Sequence, residues 1–234
     1  MDWPIFKNRG LLPPSLWMTF KKMSLTGLIL GPPKAGKTTL LMNFLQTLNL
    51  RVYLCPGKGT SDLELYEKYS LHPTIISPLK FPAWLEKQKE EAYLNRVDRA
   101  HFPPTILVVE DLDVSPIKEH KTALRELFSN HRHYKIWLFV TSTPSPTLEP
   151  GFRAQFNFSC FLEKCELTPS LFRAYFNGFD KSHVDKKWST FKPFSFLYMT
   201  IENTRLEVVH NFIKEKKKGL FDPSLKKPSS CLSL

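Results

Sequence analysis

Eight consecutive residues, Gly31-Pro-Pro-Lys-Ala-Gly-Lys-Thr38, constrain this chain more than any other feature in it. Two glycines separated by four residues and followed by lysine and a hydroxyl side chain make a loop whose backbone N–H groups can wrap a phosphate chain. That pattern has meaning only between a strand and a helix, and both flanks fit. Leu25 to Leu30 is a short, mostly apolar run that stops at Gly31, while Lys37 to Leu48 places Leu40, Leu41, Phe44 and Leu45 on one helical face. The helix adds the positive end of its dipole to the loop. In this setting Gly31, Pro32, Pro33, Lys34, Ala35, Gly36, Lys37, Thr38 and Thr39 are expected to hold the phosphates of ATP. Lys37 would reach the β- and γ-phosphates, and Thr38 would offer its hydroxyl to Mg2+, a cation that takes hard oxygen ligands. The bland alternative is a tight strand-to-helix turn carrying an exposed lysine.

The rest of the chain alternates strand-like and helix-like segments. Arg51 to Cys55 reads as a strand stopped by Pro56-Gly57, Ser61 to Ser70 as a helix, and Thr74 to Ile76 as a minor strand. Pro82 to about Arg99 reads as a long charged helix, Thr105 to Val109 as a wholly buried strand, Ser115 to Asn130 as a helix and Lys135 to Thr141 as a further strand. Beyond Pro150, a strand is expected near Phe156 to Leu162, a helix near Pro169 to Phe176 and a strand at Phe194 to Ile201. The alternation implies an α/β fold of the P-loop NTPase kind, a central and mostly parallel sheet with helices on both faces. Ligands of such sheets bind outside the carboxyl ends of the strands. The expected division is an irregular lead-in over 1–24, an ATPase domain over 25–212 and a basic tail over 213–234. The tail's lysines, Lys214, Lys216, Lys217, Lys218, Lys226 and Lys227, read first as a solvated face or a localisation signal.

A second chemical element closes the Thr105 to Val109 strand, where Glu110-Asp111-Leu112-Asp113 projects acids from the carboxyl edge. In hydrolases built on a phosphate loop, one acid at this place holds magnesium and a neighbouring carboxylate polarises the attacking water. The order Glu-Asp leaves two assignments open. Asp111 is the magnesium ligand with Glu110 turned elsewhere, or Glu110 is the ligand and Asp111 the base; Asp113 is a further candidate. The candidate metal ligands are thus Thr38, Glu110 and Asp111, set against the plainer reading of acids that cap a strand. Thr143, in Thr141-Ser-Thr143, would stand beside the acids as a polar sensor of the γ-phosphate. Arg132, Arg153 and Arg173 are candidates to neutralise transition-state charge, including across a subunit boundary, although a lone arginine is more often a surface residue. The catalytic candidates are Lys37, Glu110, Asp111, Thr143, Arg132 and Arg153. His131 and His133 flank Arg132 without a cysteine or acid at ligand spacing, so no metal is expected there.

Composition narrows the partners. Hydrophobic residues make up 42% and charged ones 24%, which sets aside disordered and collagen-like chains. No apolar run approaches the roughly 18 residues of a membrane-spanning helix. The opening Met1-Asp-Trp-Pro-Ile-Phe does not read as a signal peptide, and Cys55, Cys160, Cys165 and Cys231 read as free thiols, so an intracellular protein is expected. A formal net charge of +11 favours a polyanionic partner such as nucleic acid.

The stretch Leu127-Phe-Ser-Asn-His-Arg-His-Tyr-Lys-Ile-Trp-Leu-Phe-Val-Thr-Ser-Thr143, with Pro150-Gly-Phe-Arg153 and Phe156-Asn157, resembles the DNA-packaging ATPases of poxviruses and related large DNA viruses, which belong to the FtsK/HerA group. The resemblance runs from about Leu28 to Leu162, with a fainter echo at Phe194 to Asn203. It implies an ATP- and magnesium-dependent motor that forms a ring-shaped homo-oligomer at a capsid vertex and pumps double-stranded DNA inward. Its implied partners are DNA and capsid or vertex proteins, not membrane, and its place is the virion or the host nucleus or cytoplasm. Two departures bear on catalytic detail. The family's fourth strand typically ends in glutamine where this chain has Thr143, and the acidic pair here is Glu-Asp rather than Asp-Asp or Asp-Glu. Other readings are an ATP-binding DNA or capsid adaptor with little turnover and a cellular AAA-like ATPase. A small-molecule kinase fits less well, because no arginine-rich lid follows the acidic strand.

Overall fold

The computed structural model describes residues 25–48, 50–57, 63–69, 71–97, 104–144, 150–163, 167–176, 178–192, 195–200 and 205–210. The lead-in over 1–24 and the basic tail over 213–234 lie outside the described residues. Eight strands are described: β1 (Thr26–Leu30), β2 (Val52–Cys55), β3 (Thr74–Ile75), β4 (Thr105–Val109), β5 (Ile136–Ser142), β6 (Phe158–Phe161), β7 (Phe196–Thr200) and β8 (Arg205–Val209). They form one sheet in the order β3-β2-β4-β5-β1-β6-β7-β8. The first six strands run parallel, and β7 and β8 complete one side by antiparallel pairing.

The helices α1 (Lys37–Leu48), α2 (Leu63–Lys68), α3 (Phe81–Val97), α4 (Lys121–Asn130), α5 (Pro150–Arg153), α6 (Pro169–Tyr175) and α7 (Lys181–Trp188) connect them. Side chains of a strand alternate between faces, and the strands here are apolar on both. On β4, Ile106 and Val108 pack with Leu40, Leu41, Phe44 and Leu45 of α1 and Tyr66 of α2, whereas Leu107 and Val109 join Leu85, Leu124, Leu127 and Phe128 of α3 and α4 on the other face. This is the two-sided burial expected of a central parallel strand.

β1 holds the middle of this arrangement, with β5 on one side and β6 on the other. The chain leaves β1 toward β2 on the far side of β4 and β5, while β6 lies on the opposite flank. The crevice beyond the carboxyl end of β1 is therefore a topological switch point, where open α/β sheets bind ligands. Gly27 faces Phe158 in the β1–β6 register, and the Phe158 ring occupies the space over the glycine. That ring meets Phe44 and Phe139 edge-on at centroid distances of 5.9 and 6.2 Å. At the start of the two strands, the Thr26 N–H donates to Asn157 Oδ1 at 2.9 Å and the Thr26 hydroxyl donates to the Gln155 carbonyl at 2.7 Å, which pins their register.

Several boundaries differ from the sequence-based expectation for physical reasons. The single helix expected over Ser115 to Asn130 is divided: Pro116–Glu119 forms a 3-10 turn and α4 starts at Lys121, because His120 adopts a non-helical ψ of 55°. β5 begins at Ile136 rather than Lys135, whose φ of 52° places it in a turn. The helix expected from Pro82 begins one residue earlier, at Phe81, which is fully buried. α5, α7 and β8 have no counterpart in the sequence-based reading. The first is a single turn, the second buries just Val184 and Trp188, and the third is five residues long. Cys55 and Cys160 are buried free thiols, and burial pushes Cys55 up to about 12.

The Gly27–Phe158 contact gives a direct test of the core. A Cβ at residue 27 would stand 2.3 Å from Cζ of the fully buried Phe158 ring. Gly27→Ala is expected to lower stability by about 1–3 kcal/mol through overpacking, read as a lower denaturant midpoint with an unchanged slope.

Candidate nucleotide-binding site

The loop between β1 and α1 lies at the carboxyl edge of the sheet and is shaped by two left-handed residues, Lys34 at φ 66° and Gly36 at φ 93°. Such turns draw successive backbone N–H groups round an anion-sized hollow. Gly31 sits close to its neighbours: a Cβ there would stand 3.2 Å from the Ala35 Cβ and 3.3 Å from the Leu162 Cβ, so a side chain would need them to give by a few tenths of an ångström. The Lys37 ammonium donates to the carbonyls of Gly31 and Pro32 at 3.0 and 3.1 Å, so its charge is held over the loop itself. Thr38 and Thr39 are half-buried in the first turn of α1.

The acids after β4 occupy three different environments. Glu110 is 5% exposed and continues the alternation of Ile106 and Val108, which directs it to the α1 face; its Oε1 accepts a hydrogen bond from the Tyr66 hydroxyl at 2.9 Å. Asp111 turns out of the strand with φ 45°. Its N–H donates to Thr141 Oγ1 at 2.9 Å, and its carboxylate lies beside Gly57, where a Cβ would stand 3.2 Å from Oδ2. Asp113 accepts from the Thr143 hydroxyl at 2.6 Å, the Ser142 hydroxyl at 3.1 Å and the Thr143 N–H at 3.4 Å. The Gly31 N–H in turn donates to the Ser142 carbonyl at 3.3 Å. Phosphate loop, acid loop and the end of β5 thus share one hydrogen-bond network.

Lys37, Thr38, Glu110, Asp111, Asp113 and Thr143 are gathered at this edge. Within it, the Thr143 hydroxyl engages Asp113, and Thr141 is the hydroxyl beside the Glu110-Asp111 pair. Tyr66 carries no sequence signal of its part here, since it lies 44 residues from Glu110 in the chain. Among the described residues no group of three or more His, Cys, Asp or Glu side chains is placed to hold a metal. Magnesium bound with a nucleotide takes much of its octahedron from phosphates and water, so a Thr38 hydroxyl and a carboxylate on the α1 face suit it.

The arginines lie elsewhere. Arg132 precedes β5 and Arg153 precedes β6, so both stand at the amino edge of a sheet whose carboxyl edge carries the phosphate loop. Arg132 is exposed, the Arg153 guanidinium lies 5.3 Å from the Tyr175 ring centroid, and Arg173 is exposed on α6. The His-Arg-His-Tyr segment closes α4 into β5. His131 is buried with Nδ1 3.1 Å from the Ile136 carbonyl, and Tyr134 donates to Glu126, which also receives Lys89 at 2.7 Å.

Sheet order, switch-point loop and flanking helices define the class: this is the P-loop ATPase fold. The B204 DNA-packaging ATPase of Sulfolobus turreted icosahedral virus superposes with a TM-score of 0.56 at 15% identity, covering 80% of this chain and 98% of that one. ATPases 2 and 3 of EssC from Geobacillus thermodenitrificans give a TM-score of 0.62 at 14% identity, covering 83% of this chain and 41% of that one. The type VII secretion ATPase EccC of Thermomonospora curvata gives 0.57 at 15%, covering 80% and 25%. No protein-family model matches the sequence, and no curated protein matches it. Among the described residues no helix is long and apolar enough to cross a membrane.

The buried His131 carries a pH signature. Burial holds its imidazole below the ordinary value; the Ile136 hydrogen bond opposes this in part, and Arg132 and His133 add to it. A depressed imidazole means that the unfolded chain binds the proton more readily, so the contribution to stability is present above about 6.5 and is lost as pH falls through the lower folded value. Unfolding midpoints measured between pH 7.5 and 5 are expected to fall more steeply for the native chain than for His131→Gln.

Proposed function

We propose that this chain is an ATP-hydrolysing motor of the viral genome-packaging type, one that moves double-stranded DNA into a capsid. The observation that carries the reading is the extent of the structural likeness. The chain spans 98% of the packaging ATPase B204 but 41% and 25% of the secretion ATPases, which are longer chains. B204 of Sulfolobus turreted icosahedral virus 2 has been solved with AMPPCP and with ATP-gammaS. The phosphate loop, acids and charge of this chain fit the same chemistry.

In this reading the loop amides and the α1 N-terminus receive the triphosphate, and Lys37 exchanges the Gly31 and Pro32 carbonyls for β- and γ-phosphate oxygens. Thr38 and Glu110 would hold magnesium, which when bound offsets charge on the phosphate oxygens. Glu110 suits this part because it is buried on the α1 face. Asp111, lifted to the mouth of the site by its left-handed turn, accepts the proton of the attacking water. Asp113 ties the hydroxyls of Ser142 and Thr143 at the end of β5 to the acid loop. Arg132 and Arg153, at the far edge, would serve catalysis through a neighbouring copy in a ring. The +11 charge suits phosphate contacts with DNA that are independent of base sequence. Capsid vertex proteins are the expected docking partners, in the virion or the infected cell.

Steady-state ATP hydrolysis by the purified chain with Mg2+, with and without duplex DNA at two salt concentrations, tests the reading. DNA stimulation that fades with salt is expected. Lys37→Ala is expected to cut turnover by about a hundredfold or more, in line with the loss of a charge-stabilising group. Glu110→Gln is expected to weaken magnesium dependence, whereas Asp111→Asn lowers kcat with binding retained. Equal, unimpaired turnover in all three variants overturns the site, and nucleotide binding without turnover in the native chain favours an ATP-dependent adaptor.

A further inference from the structure

Tyr66 is the feature that the phosphate-loop chemistry does not require and the geometry singles out. It sits on α2, a helix of six residues between β2 and β3, and is fully buried among Leu40, Leu41 and Leu45 of α1 and Ile106 and Val108 of β4. Packing alone would be served by phenylalanine. The hydroxyl instead reaches across to Glu110 Oε1 at 2.9 Å, a bond between two side chains that are each almost wholly removed from water. A hydrogen bond of this kind, between a neutral donor and a carboxylate, is directional and stronger than a neutral pair. It also fixes Oε1 of Glu110 relative to α2.

α2 is itself tied to the helix that carries the phosphate loop. The Gln46 side-chain amide on α1 donates to the Tyr69 carbonyl at 2.8 Å, and the Leu71 N–H donates to the Tyr66 carbonyl at 2.9 Å, closing the turn after α2. The order of connection is therefore α1, then α2, then Tyr66, then the acid at the end of β4. The carboxylate is placed relative to α1 through α2 as well as through the sheet.

We propose that Tyr66 is a positioning residue that orients the Glu110 carboxylate toward the magnesium–nucleotide site at the start of α1. This rests on the nucleotide reading of that site. Tyr66 acts through Glu110 and touches neither nucleotide nor metal, so its loss changes how magnesium strengthens nucleotide binding more than it changes binding without metal. A tyrosine that merely satisfies a buried acid would affect stability and leave the magnesium dependence as it is.

The test is Tyr66→Phe in the full chain, with ADP affinity titrated first in EDTA and then in rising MgCl2, and unfolding midpoints recorded alongside. Expected are an affinity in EDTA within about twofold of the native chain and a half-saturating Mg2+ concentration raised about tenfold, the lower end of what a lost hydrogen bond to a charged group costs. In a Glu110→Gln background the same substitution is expected to leave the magnesium dependence unchanged, read by comparing Glu110→Gln with the double variant Tyr66→Phe/Glu110→Gln. If Tyr66→Phe does not fold, the exposed Gln46→Ala carries the test: it loosens α2 without touching the core and is expected to raise half-saturating Mg2+ about threefold, the effect of a typical neutral hydrogen bond. Native magnesium dependence in the folded variant overturns the proposal. A native chain that binds no nucleotide in either condition overturns the nucleotide reading and this inference with it.

Discussion

A strand buried on both faces can present polar chemistry only at its ends. β1 is such a strand, flanked by β5 and β6 and covered by α1 on one face and by the α4 and α6 side of the molecule on the other. The loop at its carboxyl end must therefore satisfy its own backbone and receive any ligand in the same few residues. The left-handed turns at Lys34 and Gly36 meet that demand, and the Gly31 N–H bond to the Ser142 carbonyl ties the start of the turn to the end of β5. The acids after β4 are subject to the same rule, which is why exposure rises from Glu110 to Asp111 as the chain leaves the sheet.

Separation of charge between the two edges of the sheet follows from chain direction. Residues that leave parallel strands collect at the carboxyl edge, and here they are Lys37's loop and three acids. Residues that enter the strands collect at the amino edge, where Arg132 and Arg153 stand. The Arg-His-Tyr segment is held there by structure: His131 against Ile136, Tyr134 against Glu126, and Lys135 in a left-handed turn.

The sequence disclosed the features that are local. The phosphate loop, its flanking strand and helix, and the acids after Val109 are contiguous patterns, and a parallel sheet follows from their alternation. Boundaries fail where one backbone angle decides, as at His120 and Lys135, since side-chain periodicity does not report ψ or φ. α7 and β8 escape a sequence reading because each is short and α7 buries only Val184 and Trp188, too few positions to set a period. The partners of the acids are hidden for a different reason. Glu110 finds Tyr66, Asp111 finds Thr141 and Asp113 finds Thr143 across separations of 44, 30 and 30 residues, which no local pattern encodes.

The network that joins Gly31 to Ser142, Ser142 and Thr143 to Asp113, and Asp111 to Thr141 makes three connecting loops into one mechanical element. Loops fixed only at their ends fluctuate independently, each with its own opening free energy, whereas cross-bonded loops open together. The amides of Gly31, Asp111 and Thr143 should then exchange with solvent deuterium at a common rate, slower than their place at a sheet edge would suggest. Stiffness of this kind sets a lower limit on the size of the motion that can pass through the site: a small shift in one loop is either resisted by all three or carried by all three.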